Sequence, residues 1–169
     1  MAKKETKNTE KKVNTENMGK ITPPMQINGQ YIKDFSFEAP GMPFVMLQTK
    51  EPPKIDISIN VNAARVSKEQ NIYTVETELK INAKSGDKVA FICELTYGAL
   101  VTLMVPEEHV QPLLLVEIPH LTFPYIRSIV ANATREAGMM PLTLAPIDFA
   151  MLYRNRLAKE AEGNKEKTN

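Results

Sequence analysis

The sequence predicts an α+β fold: a four-stranded antiparallel sheet, a proline-rich crossover after strand one, and two C-terminal helices. Three observations carry this reading. Apolar and polar residues alternate through four successive stretches ahead of Pro106, and apolar residues then recur at helical spacing. Ser85-Gly86-Asp87 supplies a hairpin turn between the last two alternating stretches. Strand-type and helix-type segments are segregated along the chain, which favours helices on one face of an antiparallel sheet over a parallel α/β arrangement.

Residues 1–20 carry six Lys against three Glu and almost no large apolar side chain, so they are expected to be a disordered basic tail. The folded domain is expected over residues 21–157. Met25, Ile27, Gly29 and Tyr31 open the first strand, which continues into YIKDFSFEAPGMP, Tyr31 to Pro43. In extended chain, Lys33, Phe35 and Phe37 fall on one side, with Asp34, Ser36 and Glu38 on the other. Asp34 and Glu38 then lie about 13 Å apart, four strand steps of roughly 3.3 Å each. By itself this could be an ordinary edge strand running into a turn. Pro40 and Pro43 take the chain out of the sheet. The connection from Pro40 to Pro53 holds four prolines and also Met42, Phe44, Val45, Met46 and Leu47. A loop this apolar is expected to pack on something or to line a groove.

Ile55, Ile57, Ile59 and Val61 alternate with Asp56, Ser58, Asn60 and Asn62 in a half-buried second strand. Tyr73, Val75, Thr77, Leu79 and Ile81 form the buried row of a third. The fourth runs from Lys88 to about Val105, with an inner row from Val89 through Phe91, Cys93, Leu95 and Tyr97 to Val105. Its outer row contains Ala90, Ile92, Leu100 and Met104 beside Glu94. A strand apolar on both faces wants cover on both, which points to self-association.

After Pro106 the chain is expected to turn helical, with Pro112 breaking or kinking the helix. Thr122 is the expected N-cap of a helix striped by Phe123, Ile126, Ile129, Val130 and Ala133 and stopped by Gly138. Asp148 caps a final helix striped by Phe149, Leu152, Tyr153 and Leu157. Residues 158–169 read as a flexible, solvated tail.

A formal charge of +1 over 169 residues gives no footprint for nucleic acid. The 21–157 body is mildly acidic, with twelve basic against fourteen acidic residues. A single cysteine, Cys93, excludes an internal disulfide and suits a reducing cytoplasm. No stretch is expected to insert in a bilayer, and the Lys-rich start lacks the apolar core of a secretory signal. Phosphate loops, nucleophile elbows and zinc spacings are absent from the sequence. Cys93 sits on an apolar strand row, where an inert thiol is expected, and His120 between Pro119 and Leu121 reads as a loop histidine. Asp34 and Glu38 are too far apart to act as an acid–base pair on one bond. Enzyme is the weaker class, and neither a cofactor nor a metal is expected.

KDFSFEAP at Lys33–Pro40, AFICEL at Ala90–Leu95 and TFPYIRSIVANATREAGMMPLTLAPIDFAMLY at Thr122–Tyr153, taken in this order, strongly resemble the SecB family of protein-export chaperones. The match runs unbroken from about Tyr31 to Leu157. The resemblance implies a cytoplasmic homotetramer, a dimer of dimers, that holds preproteins unfolded and passes them to the SecA motor without using a nucleotide. It places SecA docking on Asp34, Glu38, Ile92 and Glu94, and subunit contacts near Phe91, Cys93, Leu95 and Tyr97. A client groove is expected between the crossover (Phe37, Met42, Phe44, Met46), the row Ile55, Ile57 and Ile59, and the last helix (Phe149, Leu152). Methionines suit such a groove because they repack around many sequences. Two alternatives stand beside this reading. One is a SecB-like chaperone dedicated to an antitoxin. The other is an oligomeric enzyme for a small apolar substrate, with Cys93 or His120 in its pocket.

Overall fold

The structure, a computed structural model, describes residues 23–48 and 52–166. The expected tail at 1–20 lies outside them, and the Met46 side chain is likewise not described. The elements are β1 (Met25–Glu38), α1 (Phe44–Gln48), β2 (Lys54–Ser67), β3 (Ile72–Ser85), β4 (Lys88–Leu103), α2 (Glu107–Pro112), a π-helical turn (Leu113–Glu117), α3 (Ile118–Glu136) and α4 (Phe149–Glu166). The sheet order is β1-β4-β3-β2, antiparallel throughout. β1 and β2 are therefore opposite edges, and the chain between them must cross the sheet, which explains a long apolar connection where a hairpin would need only a turn. Gly86, at φ 59°, supplies the left-handed residue that the tight β3–β4 turn requires.

The inner rows of β3 and β4 form the core. Val75, Leu79, Ile81, Phe91, Cys93, Leu95, Val101 and Leu103 are all buried, and they pack with Leu114, Ile118, Ile126 and Val130 from the helical layer. Phe91, Cys93, Leu95 and Tyr97, expected near subunit contacts, are buried within this chain. Period-2 alternation identifies the correct row; it does not say which layer covers it.

The helices depart from expectation in one respect. Pro112 does not break the helix. A proline lacks the N–H donor and crowds the carbonyl four residues back; here the backbone widens into a π-turn immediately after it, which absorbs the misfit without ending the helix. The result is one continuous helix from Glu107 to Glu136, long and apolar enough to cross a membrane by length and composition alone. Its apolar line, Ile118, Phe123, Ile126 and Val130, is buried in the core. Thr122 is accordingly mid-helix, with its hydroxyl donating to the Pro119 carbonyl at 3.2 Å, and His120 is an exposed helical residue rather than a loop histidine.

The helix stops as expected at Gly138, with φ 77°. The Gly138 N–H donates to the Arg135 carbonyl and the Met139 N–H to Thr134, a Schellman closure. Thr134, fully buried, then accepts the Leu142 N–H at 2.9 Å and ties down the connection to α4. Asp148 caps α4 by accepting the Met151 N–H at 2.8 Å. The helix continues to Glu166, so most of the stretch read as a solvated tail from Ala158 is helical. An Arg156–Glu160 pair at one-turn spacing supports that extension, and Arg156 also donates to the Val61 carbonyl on β2.

The core makes two outcomes testable. Leu95→Asp places a charge with no partner among the inner-row side chains, at a cost of several kcal/mol, so the cooperative thermal transition in circular dichroism should be lost. A folded protein that merely changes its oligomeric state would contradict this placement. Cys93 is buried, and desolvation together with the nearby Glu94 charge pushes its thiol from an ordinary 9.0 up to about 11. Between those values the unfolded chain ionises and the folded chain does not, so the thiol's contribution to stability is intact below pH 9 and declines as pH rises through that window. A disulfide reagent should react with Cys93 only slowly in the native protein and at once in denaturant.

Candidate functional site

Antiparallel pairing puts directly opposed residues on the same face, so the register builds the outer face of the sheet row by row. Glu38 opposes Ile92, which opposes Asn82; Ser36 opposes Glu94, which opposes Lys80; Asp34 opposes Thr96, which opposes Glu78. The four residues singled out in the sequence for docking, Asp34, Glu38, Ile92 and Glu94, are therefore neighbours on two adjacent strands, with Glu94 midway between the two β1 carboxylates. All four sit on the face away from the helices.

The alternation of β1 is not regular. Register shifts occur between Ile27 and Gly29 and between Ile32 and Asp34. The second leaves Lys33 unpaired and turns its side chain to the outer face, where Nζ meets Glu76 at 2.7 Å, instead of leaving it beside Phe35 and Phe37. That hydrogen bond, opposed by desolvation and reinforced by the Glu76 charge, holds the Lys33 ammonium above its ordinary pKa. Lys80 pairs with Glu94 at 3.0 Å, and Asn62 donates to Glu78. The Tyr31 ring lies against Gly98, where any Cβ would collide with it. Sequence reasoning does not assign Lys33 or Tyr31 to this face. A bulge changes which side a residue faces, and nothing in the local sequence marks it.

The helix-facing side carries the apolar surface. Phe37, Cys93, Ile81 and Ile57 form one cross-sheet row, with Phe37 and Ile57 at opposite edges, about 14 Å apart over three inter-strand steps. Ile55 and Ile57 are exposed, as is Phe44 on α1. Further along β2, a cavity of about 550 Å³ opens between β2, the π-turn and α4. Ile59, Val61, Leu115, Leu152 and Tyr153 line it, with Asn60, Asn62, Arg156, Lys159 and Glu160 among its polar residues.

Of the expected groove residues, Ile59 and Leu152 meet in this cavity. Ile55 and Ile57 continue the same β2 row. Phe149 does not belong to it: it is buried and packs edge-on against Phe123 at 5.8 Å, because the capped first turn of α4 points into the core. Phe37 stacks on Phe91 at 5.5 Å and is half-buried packing, and Met42 is also half-buried. Leu115, Tyr153 and Arg156 join the lining without having been expected there. Leu115 reaches the cavity through the π-turn, which the sequence signals only as a proline.

Cys93 and His120, the residues of the enzyme alternative, are not brought together. Cys93 faces the core, while His120 lines a separate hollow of about 360 Å³ with Glu117 and Asp148. Among the described residues no group of three or more His, Cys, Asp or Glu is arranged to hold a metal ion.

Comparison with known proteins bears on the whole domain. The family model for SecB, preprotein translocase subunit SecB, matches residues 19–160. The protein-export protein SecB of Paramagnetospirillum magneticum is 48% identical over 139 residues, which cover 81% of this chain and 88% of that protein. Its counterpart in Rhodospirillum rubrum is 43% identical over 134 residues, covering 79% and 82%. Among solved structures, a SecB-like chaperone of Mycobacterium tuberculosis, in complex with a peptide from an antitoxin, superposes with a TM-score of 0.63 at 15% identity, covering 73% of this chain and 91% of that one. That last likeness is one of fold.

Proposed function

This chain belongs to the SecB family of protein-export chaperones, and from that premise we propose a cytoplasmic holdase that captures unfolded preproteins on its helix-facing apolar surface and delivers them to SecA through the outer face of its sheet. The observation that carries this reading is the separation of the two surfaces. Asp34, Glu38 and Glu94 converge with Ile92 on one side of the sheet, while Ile55, Ile57 and the β2–α4 cavity lie on the other. A client and a motor can then be held together without competing for side chains. Binding of clients needs no covalent chemistry: apolar surface is removed from water, and many weak contacts along an extended chain add up through avidity.

Assembly as a homotetramer, a dimer of dimers, is part of the proposal. Its support is apolar surface that this chain leaves uncovered away from the groove: Tyr31, Ile32 and Phe35 on the edge strand β1, and Leu121 and Tyr125 on α3. Edge strands and large apolar patches are places where copies associate. An antitoxin-dedicated role has only the fold likeness at 15% identity behind it, against export relatives at 43% and 48%.

Opposite variants separate the two surfaces. Asp34→Lys with Glu94→Lys changes exposed or half-exposed positions, so folding, assembly and binding of a denatured preprotein should persist, while affinity for SecA at low salt falls about tenfold or more. Phe44→Ser with Ile57→Ser should do the reverse, weakening capture of the denatured preprotein and sparing SecA. Surface plasmon resonance with SecA and with denatured and native forms of one preprotein reads both. SecA affinity unchanged by the charge reversals would reduce the acidic face to solvated surface, and equal binding of native and denatured preprotein would exclude the holdase. Light scattering on a sizing column should give four chains per particle; a monomer at micromolar concentration would contradict the assembly.

A further inference from the structure

The outer face is not uniformly acidic, and its two central lysines are held in different ways. Lys33 donates to both Glu76 oxygens at 2.7 Å, with side chains 53% and 21% exposed. That pair is two-pronged, and its carboxylate is the sheltered partner. Lys80 reaches a single Glu94 oxygen at 3.0 Å, with side chains 65% and 45% exposed. An ion pair this wet is weak, because water competes for both groups and two long side chains must be held in one geometry. Asp34 and Glu38, one row to either side of Glu94, have no cationic partner among the described residues.

We propose that Lys80 is a built-in counter-cation of the docking face: it neutralises Glu94 while the face is empty and is displaced when a cationic segment of SecA docks. This rests on the docking reading above and adds the element that sets its strength and selectivity. A partner offering one cation exchanges it for the cation already present and improves nothing. A partner with several cations also meets Asp34 and Glu38, which span about 13 Å on β1, and Ile92 beside Glu38 offers it an apolar contact. Lys80 thus discriminates against isolated basic groups in favour of an extended, multiply cationic segment.

The test compares SecA affinities at low salt for wild type, Lys80→Met, Lys68→Met, Glu94→Gln and the Lys80→Met/Glu94→Gln double variant. Methionine keeps most of the aliphatic stem, and Lys68, in the β2–β3 turn, controls for loss of one positive charge at a distance. Lys80→Met should tighten SecA binding about two- to fivefold, more than Lys68→Met does. In the Glu94→Gln background the Lys80→Met gain should shrink to the Lys68→Met level, because the freed group is no longer a carboxylate. Unchanged or weaker binding by Lys80→Met overturns the proposal, as does an equal gain with and without the Glu94 carboxylate. Failure of the docking reading is told apart by the Asp34→Lys/Glu94→Lys pair: if that variant keeps wild-type affinity, the face is not the docking surface, and the role of Lys80 falls with it.

Discussion

Burial of the inner row of β4 under the helical layer is the constraint on which the rest of the molecule depends. β4 is central, paired to β1 on one side and β3 on the other. Once Cys93, Leu95 and Val101 face Ile118, Ile126 and Val130, the pleat obliges Ile92, Glu94 and Thr96 to face the opposite way. A one-residue slip would bury Glu94 and expose Leu95, a trade that hydrophobic burial does not permit. The proposed docking face is in this sense a by-product of the core: its carboxylates are held in register by side chains on the other side of the same strand.

The same economy appears at the other end of the fold. The helix that covers β4 is continuous because the backbone widens after Pro112, and that widening delivers Leu115 to the cavity beside β2. α4 closes the cavity from above, fixed by the Asp148 cap at its start, by Phe149 in the core and by Arg156 on the Val61 carbonyl. The amphipathic character of Arg156 suits this position, since its stem can lie along apolar surface while its head satisfies an edge-strand acceptor. From Leu157 to Glu162 α4 is exposed, and it is held by helix-internal pairing such as Arg156–Glu160.

Much of this is legible in residue order. Period-2 patterning locates all four strands and the buried rows of β3 and β4, and Gly86, Gly138 and Asp148 mark a turn, a stop and a cap for the same stereochemical reasons seen in the structure. SFEAP, AFICEL and LAPIDF point to the family, which the relatives bear out. The departures share one cause. Local signals govern the reading of Thr122, His120 and Lys33, and each is decided by something non-local: a helix already running through, or a bulge in the pairing with β4.

What the sequence determined by itself was therefore the alternation of apolar and polar groups, hence the strands, their faces and the separation of an acidic surface from an apolar one. Only the tertiary structure decided which layer covers Phe91 through Tyr97, that Phe149 is core and Leu115 lines the cavity beside β2, and that Lys80 rather than solvent stands against Glu94. Periodicity reports which side of an element avoids water, and that is a property of neighbouring residues in the chain. The identity of the group lying across from it depends on sheet order, bulges and helix continuity, which are set by the summed packing of segments far apart in sequence.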